Sequence, residues 1–354
     1  MDKFQFSVLS NETRLVPEIV EKKVSGKDYV QYGEDNKFPQ YIWGLYLKSA
    51  ILQGIVNGTC DFVSGNGIVS NLPLVELNAE GDEIEDIIRK LTVDYGIFGG
   101  FCFQVIKDYN GNIKEIYWLD MQNIRLNEEG NKAYYCDKWG KYGEKAIEYD
   151  VWDPKKNQSN FVVYFKGHIS RGVYPIPRYI GSLAAVETST EIGQFHLNNI
   201  LNNLSSSAII NFNNGEPSEE VKRSIENRLN EKFSGAKNAG KNIIVFNDNK
   251  DNAVTIERLS EDNFDKKFET LAKSTREEIF IAHRATPALF GLNPENNGFS
   301  KAEFLEAFEL YNKTVVKPIQ KDIQRVFNKL FKMDNSIIFN KFELSDVDEA
   351  NKIE

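Results

Sequence analysis

The sequence predicts an α+β chain in which a run of β-strands is set between helical parts. Three observations predict it. Apolar residues recur at helical spacing over residues 180–204, 263–284 and 300–331. Residues 100–166 alternate apolar and polar in short runs separated by turn residues. Hydrophobic residues make up 41% and charged residues 27%, a globular balance that excludes a disordered chain.

The elements follow in order. Residues 1–28 carry scattered charges and read as an N-terminal arm. A polar loop, Tyr29-Val-Gln-Tyr-Gly-Glu-Asp-Asn-Lys-Phe-Pro39, precedes a helix over 40–57 with Ile42, Leu45, Tyr46, Ala50 and Ile51 on one side. Gly58 and Gly65-Asn66-Gly67 punctuate the chain. Ile84, Ile87, Ile88 and Leu91 give residues 82–94 an apolar stripe and predict a second helix. Strands are expected at 101–107 and 113–119, joined by a two-residue turn at Asn110-Gly111. Further strands are expected at 124–126, 133–136, 147–152 and 161–165, with a turn at Glu129-Gly130-Asn131. Beyond Tyr174-Pro175-Ile176-Pro177 come the helix over 180–204, a strand at 208–212 and a charged helix over 217–233. A hairpin of 241–247 with 253–259 follows, then the helix over 263–284. Residues 286–294 are rich in turn residues. The helical pattern over 300–331 is interrupted by Pro318, and a strand is expected at 337–342.

The chain has 354 residues, enough for two domains or one elongated subunit of several parts. With 43 basic and 52 acidic residues its net charge is −9. Tight, sequence-independent DNA binding over the whole surface is excluded by that balance, because such binding needs clustered cations to release counterions. DNA sliding past without being held is not excluded. The three cysteines, Cys60, Cys102 and Cys136, have no metal-ligand spacing and read as free thiols in a reducing cell. No apolar run approaches the ~18 residues of a membrane span, and Met1-Asp2-Lys3-Phe4-Gln5 lacks a secretory pattern, so a cytosolic product is expected.

Recognisable catalytic chemistry is missing. There is no phosphate loop, and Gly65-x-Gly67 lacks the third glycine and the acidic partner of a dinucleotide site. The sequence holds neither a zinc-protease H-E-x-x-H nor a hydrolase elbow. His168, His196 and His283 are far apart, and each reads as a surface or satisfied interior residue. Asp61, Asp94, Asp108 and Asp120 are the acids from which a metal site could be assembled on paper; that reading leaves a metal-dependent nucleic-acid enzyme as a remote alternative. No catalytic residue, metal or cofactor is expected.

Residues 264–330 resemble the C-terminal part of tailed-bacteriophage portal proteins of the lambdoid-capsid type. The resemblance rests on Glu278-Ile-Phe-Ile-Ala-His-Arg-Ala-Thr-Pro287, then Ala288-Leu-Phe-Gly291, Ser300-Lys-Ala-Glu-Phe-Leu-Glu-Ala-Phe308 and Val315-Val-Lys-Pro318 with its amphipathic sequel to Leu330. Gly111-Asn-Ile-Lys-Glu-Ile-Tyr-Trp-Leu119 is similar to the family's hairpin, although Asp120-Met121 stands where the family has a proline. Tyr32 to Pro39 and Val63-Ser-Gly-Asn-Gly67 look like the opening of portals from phages of Bacteroidetes-type hosts. Taken together the resemblance spans residues 29–340.

It implies a ring, usually of twelve subunits, at one capsid vertex. Double-stranded DNA enters through its channel, driven by the terminase large subunit, and leaves by the same route. The implied partners are further copies of the chain, the major capsid protein, terminase and head–tail connector or adaptor proteins, with no membrane. The implied location is the virion, and the host cytoplasm during assembly. The implied parts are an arm at 1–28, a β-rich wing at 29–260, a first stem helix at 261–284, a clip at 285–299, a second stem helix and tunnel element at 300–333, and at 334–354 a strand and the start of a short or missing crown. Another virion structural protein, such as a head–tail joining subunit, is the alternative.

Three groups of candidate residues follow. Pro287, Leu289, Phe290, Gly291, Leu292 and Pro294 form either a terminase- and adaptor-facing tip or an interior connector whose Leu289 and Phe290 fill the core. Phe264, Phe268, Leu271, Phe304, Leu305, Phe308 and Tyr311 are candidates for packing between subunits, or under the wing of their own subunit. Lys313, Lys317, Lys321, Arg325 and Lys329 recur every four residues. Such a step rotates about 40° round a helix, so they sweep a slanting stripe. That stripe either meets DNA in the channel or is a solvated face complementing the helix dipole. A kink or break is expected near 314–318, where Pro318 removes a backbone donor.

Overall fold

The computed structural model describes residues 17, 19–141, 143, 145–201, 209–212, 220, 243–246, 264–292 and 301–342. The fold divides into two compact units. One comprises Met1–Ala184 with Glu278–Glu354, the other Ala185–Glu277.

The first unit opens with β1 (Glu21–Lys23), paired antiparallel with β2 (Val30–Tyr32). Helix α1 (Phe38–Lys48) follows, with Pro39 in its first turn, where a missing N–H costs nothing. The single helix expected over 40–57 is in fact two. Ser49 adopts an extended conformation, and its Oγ accepts from Leu52 N at 3.2 Å, capping α2 (Ala50–Ser64). Gly58 does not punctuate the chain either, because it lies inside α2. A Cβ there would stand 2.8 Å from the ring of Phe290, so glycine is required by close packing rather than by a turn.

Strand β3 (Ile68–Ser70) leads to α3 (Ile84–Phe98), whose start is closed by Glu83 N donating to Asp86 Oδ2 at 3.0 Å. The apolar stripe of α3 is sealed: Ile87, Ile88 and Leu91 are fully buried. Then come β4 (Gly100–Lys107), β5 (Ile113–Trp118), β6 (Ile124–Leu126), β7 (Lys132–Tyr135), β8 (Ile147–Val151) and β9 (Asn160–Lys166). They form one sheet in the order β5-β4-β9-β8-β7-β6. All neighbours are antiparallel except β8 and β9, which are parallel. The turn between β4 and β5 is longer than expected. Asp108 Oδ1 accepts from the backbone N–H of Asn110 and Asn112, so the loop is an Asx-type turn of five residues rather than two.

Alternation along β4 sorts its side chains. Phe101 stacks on Phe165 of β9 at 4.7 Å and meets Tyr95 of α3 at a tilt. Elsewhere in the unit, Arg125 is wholly buried without a carboxylate. Its guanidinium donates to Asn36 Oδ1 and O at 2.6 Å, to Ile124 O at 2.7 Å and to Gln122 O at 2.9 Å, and lies over the Trp139 ring at 5.0 Å. Burial draws its pKa below the ordinary arginine value.

Helix α4 (Leu183–Leu201) begins in the first unit and runs into the second, which also holds β10 (Ile209–Phe212) and β11 (Ile243–Phe246). These strands pair in parallel. The expected partner of 241–247, residues 253–259, and the expected helix at 217–233 lie outside the described residues, apart from Glu220. Helix α5 (Phe264–His283) carries the chain back into the first unit.

There a short 3-10 turn (Pro287–Phe290) precedes α6 (Lys301–Tyr311), a π-helical turn (Asn312–Val316) and α7 (Lys317–Phe331). The helix expected over 300–331 is thus unbroken at Pro318. Its register widens by one residue just before the proline, which removes the demand for the missing N–H. Phe327 of α7 stacks on Phe103 of β4 at 5.4 Å, so α7 covers the sheet. Finally β12 (Ile337–Phe339) pairs antiparallel with β3. Among the described residues, no helix is long and apolar enough to cross a membrane.

Candidate functional site

The turn after α5 packs against α2 of its own unit. Arg284 and Gly291 take positive φ values of 54° and 79°, reversing the chain at both ends of the 3-10 turn. The reversal folds the turn onto α2. Leu289 is buried. The Phe290 ring meets Phe62, Phe280 and Tyr311 at 6.1, 5.9 and 5.8 Å. Leu292 is half-buried, and its N–H donates to Pro287 O at 3.1 Å. Pro294 lies outside the described residues. Leu289 is thus buried and Phe290 half-buried within their own unit, Phe290 in the aromatic cluster around Phe62.

The packing candidates separate into two kinds. Tyr311 is buried in its own unit, its hydroxyl 2.6 Å from Thr59 Oγ1. Phe308 is half-buried between Phe62 and Phe342. Both pack against aromatic rings of their own unit. In the second unit Phe268 stacks on Phe195 with centroids 4.9 Å apart. Leu271 and Leu305 stay exposed, at 43% and 39%, while Phe304 is half-buried. The side chain of Phe264 is not among those described. Two exposed residues that the sequence reading missed, Ile281 and Leu310, are 76% and 63% exposed.

The basic stripe is present as expected, with Lys313, Lys317, Lys321, Arg325 and Lys329 all exposed. The opposite side of α7 buries Ile319, Ile323, Val326, Phe327 and Leu330, so the helix is amphipathic and its bases face outward. The stripe is not uniform. Lys313 Nζ pairs with Glu309 Oε1 at 2.6 Å, and that bond holds the Glu309 carboxyl below the usual range. Arg325 Nη2 donates to Asp322 Oδ1 at 2.8 Å. Asp322 Oδ2 in turn accepts from Tyr95 Oη at 3.0 Å, and Tyr95 Oη accepts from Arg178 Nη2 at 2.9 Å.

This chain of bonds borders two adjoining cavities. One, of about 480 Å³, is lined by His168, Arg178, Pro318, Lys321, Asp322 and Arg325. The other, of about 350 Å³, shares His168, Arg178 and Pro318 and reaches inward to Tyr311 and His283. His283 stacks on Tyr179 at 4.6 Å, and its Nε2 is buried with no hydrogen-bond partner. Burial pushes its pKa down to about 4, so the ring is neutral at physiological pH. His283 is thus an interior residue, but not a fully satisfied one. Tyr95, Arg178 and Asp322 lie too far apart in sequence for any spacing to have joined them.

Of the four aspartates of the paper metal site, Asp61 and Asp108 stand apart and only Asp94 and Asp120 come near one another. Asp61 faces Arg89 at 3.5 Å, and Asp108 caps its own turn. Asp94 accepts from Trp118 Nε1 at 2.8 Å, and burial, then the nearby Asp120, raises its pKa well above the carboxylate range. Among the described residues no group of three or more His, Cys, Asp or Glu side chains is placed to hold a metal.

The arrangement is that of a structural subunit with an outward basic helix and a sealed aromatic joint. The family model described as "Phage portal protein" matches residues 74–354. The chain therefore belongs to the phage portal protein family, whose members are structural components of virions. Among solved structures it is similar to a HK97-family phage portal protein from Corynebacterium diphtheriae, with a TM-score of 0.52 and 13% identity over 88% of this chain and 98% of that one. It is also similar to a chain in the neck of a native gene transfer agent particle with C12 symmetry (TM-score 0.53, 14% identity, covering 84% of this chain and 83% of that one). A chain in the virion of a native gene transfer agent particle gives a TM-score of 0.54 at 14% identity, covering 82% and 79%. At these identities the shared property is the fold, mixed helix and sheet as expected. A stretch of 151 residues is 28% identical to an uncharacterized protein of Rickettsia felis, covering 42% of this chain and 37% of that relative.

Proposed function

We propose that the chain is the subunit of a portal ring, twelvefold like the C12 neck to which it is similar, set at one vertex of a capsid. Double-stranded DNA passes through its axial channel, inward under the drive of the terminase large subunit and outward at ejection. The ring contacts the major capsid protein and gives the head–tail connector its seat. The observation that carries this reading is the portal-family match over 74–354, joined to a portal fold over most of the chain. The net charge of −9 supports it, since a conduit must let DNA slide rather than hold it. The protein is accordingly a virion component, and is made in the host cytoplasm before assembly.

The division into units bears on the parts of the subunit. Residues Ala185–Glu277 form a unit of their own, entered by α4 and left by α5. We assign the two-helix stem to α4 and α5 and the clip, with its terminase and adaptor contacts, to the chain between them. The clip expected at 285–299 and the second stem helix expected at 300–333 then become parts of the wing and tunnel region. The test is packaging. Procapsids assembled with the protein take up DNA when supplied with terminase and ATP, and procapsids assembled without it do not. Equal uptake by both sets would refute the reading.

A further inference from the structure

The cavity beside α7 holds more positive charge than its own chain balances. Arg178, Lys321 and Arg325 line it, against the single carboxylate of Asp322. Both oxygens of that carboxylate are engaged, Oδ1 by Arg325 and Oδ2 by the Tyr95 hydroxyl that Arg178 also reaches. Arg178 is further fixed over the Tyr95 ring, 5.0 Å from its centroid. Lys321 has no hydrogen bond or ion pair among the described residues. Two guanidiniums are thus held in place on the wall of a concave site, with a free ammonium beside them.

Such a site suits a lasting contact. Arginine forks bind carboxylates with two parallel bonds, and orienting them beforehand removes the entropy cost of binding. Sliding DNA calls for the reverse, loose contacts that break easily. The nearest abundant source of carboxylates is the chain itself, with 52 acidic residues against 43 basic ones. In a ring each subunit offers one face to the next and the opposite face to the one before, so a groove on one face meets a different surface of the neighbour.

We propose that the groove between Arg178 and α7 receives an Asp or Glu side chain from the neighbouring copy of this chain, held by Arg178 and Arg325 with Lys321 alongside. The proposal rests on the ring reading above. It removes Lys321 and Arg325 from the channel wall and makes them part of the joint between subunits.

The experiment uses rings co-assembled from isotope-labelled and unlabelled full-length chains. Their size is first read by mass photometry, and they are then treated with a carbodiimide that joins ammonium to carboxylate without a spacer. Mass spectrometry of the digest is expected to show Lys321 joined to an acidic residue in mixed-isotope pairs. The same pairs should fall at least several-fold in rings of Arg178→Gln, with circular dichroism confirming that the variant is folded. Coupling of Lys321 only within one chain, or none in an intact ring, overturns the proposal. So does a Lys321 that is open to acetylation in empty rings and shielded only in DNA-filled particles, which would make the groove a phosphate contact. If mass photometry shows no ring, the ring reading itself fails and this proposal with it.

Discussion

Among the turns in which an aromatic residue stands close to a glycine of positive φ, two meet opposite fates. At the β4–β5 turn Tyr109 precedes Asn110-Gly111, with Gly111 at 84°, and its side chain is 111% exposed, entirely in solvent. After α5, Phe290 precedes Gly291 at 79°, and its ring is packed among Phe62, Phe280 and Tyr311. Both pair an aromatic residue with a glycine of positive φ. The difference comes from what lies across the turn: a bare hairpin end in one case, and a helix with a gap at Gly58 in the other. A turn with apolar residues is therefore not in itself a docking tip.

That contrast can be broken by substitution, and the largest effect is expected at the buried turn. Phe290→Ala should cost about 2–4 kcal/mol in urea unfolding, a little below the ~3–5 kcal/mol of a fully buried phenylalanine because Phe290 is half-buried. A cost near zero would show that the cluster does not hold the turn. The neighbouring cavity provides the next effect, through pH. His283 is neutral when folded, with a pKa near 4, while an unfolded histidine titrates near 6.5. A base whose folded pKa is depressed leaves stability intact above about pH 6.5 and erodes it as pH falls toward 4. Between pH 7 and about pH 4.5 the native protein should lose about 2 kcal/mol more than His283→Phe, which keeps the stack on Tyr179. Parallel losses in the two proteins would mean that His283 is protonated inside the fold.

A smaller effect tests the close approach at Gly58. Gly58→Ala forces a methyl group against Phe290 and should cost about 1 kcal/mol in the native background, the overpacking penalty less the helix preference of alanine. Once Phe290→Ala has opened the space, the same change should stabilise by about 0.5–1 kcal/mol, because only the helix preference remains. Equal effects in both backgrounds would remove Phe290 as the reason for the glycine. The smallest change belongs to the exposed turn, where Tyr109→Ala should move stability by less than about 0.5 kcal/mol.

What the sequence reveals divides along the same line. The apolar stripe of α3, the strands from β4 to β9 and the outward bases of α7 depend on residues close together in the chain, and their periods are readable there. Ser49 was not legible as a break, since a serine within an apolar pattern caps a helix only when its backbone turns extended. The parallel pairing of β8 with β9 and of β10 with β11 carries no local signal at all. Of the candidate site residues, the bases of α7 stand where helical spacing put them, but the groove they share could not be read. Arg178 and Tyr95 are 83 residues apart and Tyr95 and Asp322 are 227 apart, so only the folded chain joins them. The portal resemblance was legible because it lies in the order of short motifs over three hundred residues; the family match over 74–354 covers those from Gly111 onward, and Tyr32–Pro39 and Val63–Gly67 lie before it.

The measurement closest to the central claim is electron microscopy of the purified full-length protein, with mass photometry on the same sample. The account predicts closed rings of about twelve subunits around an axial pore wide enough for double-stranded DNA. A monodisperse monomer at high protein concentration, or an open filament without a pore, would contradict it.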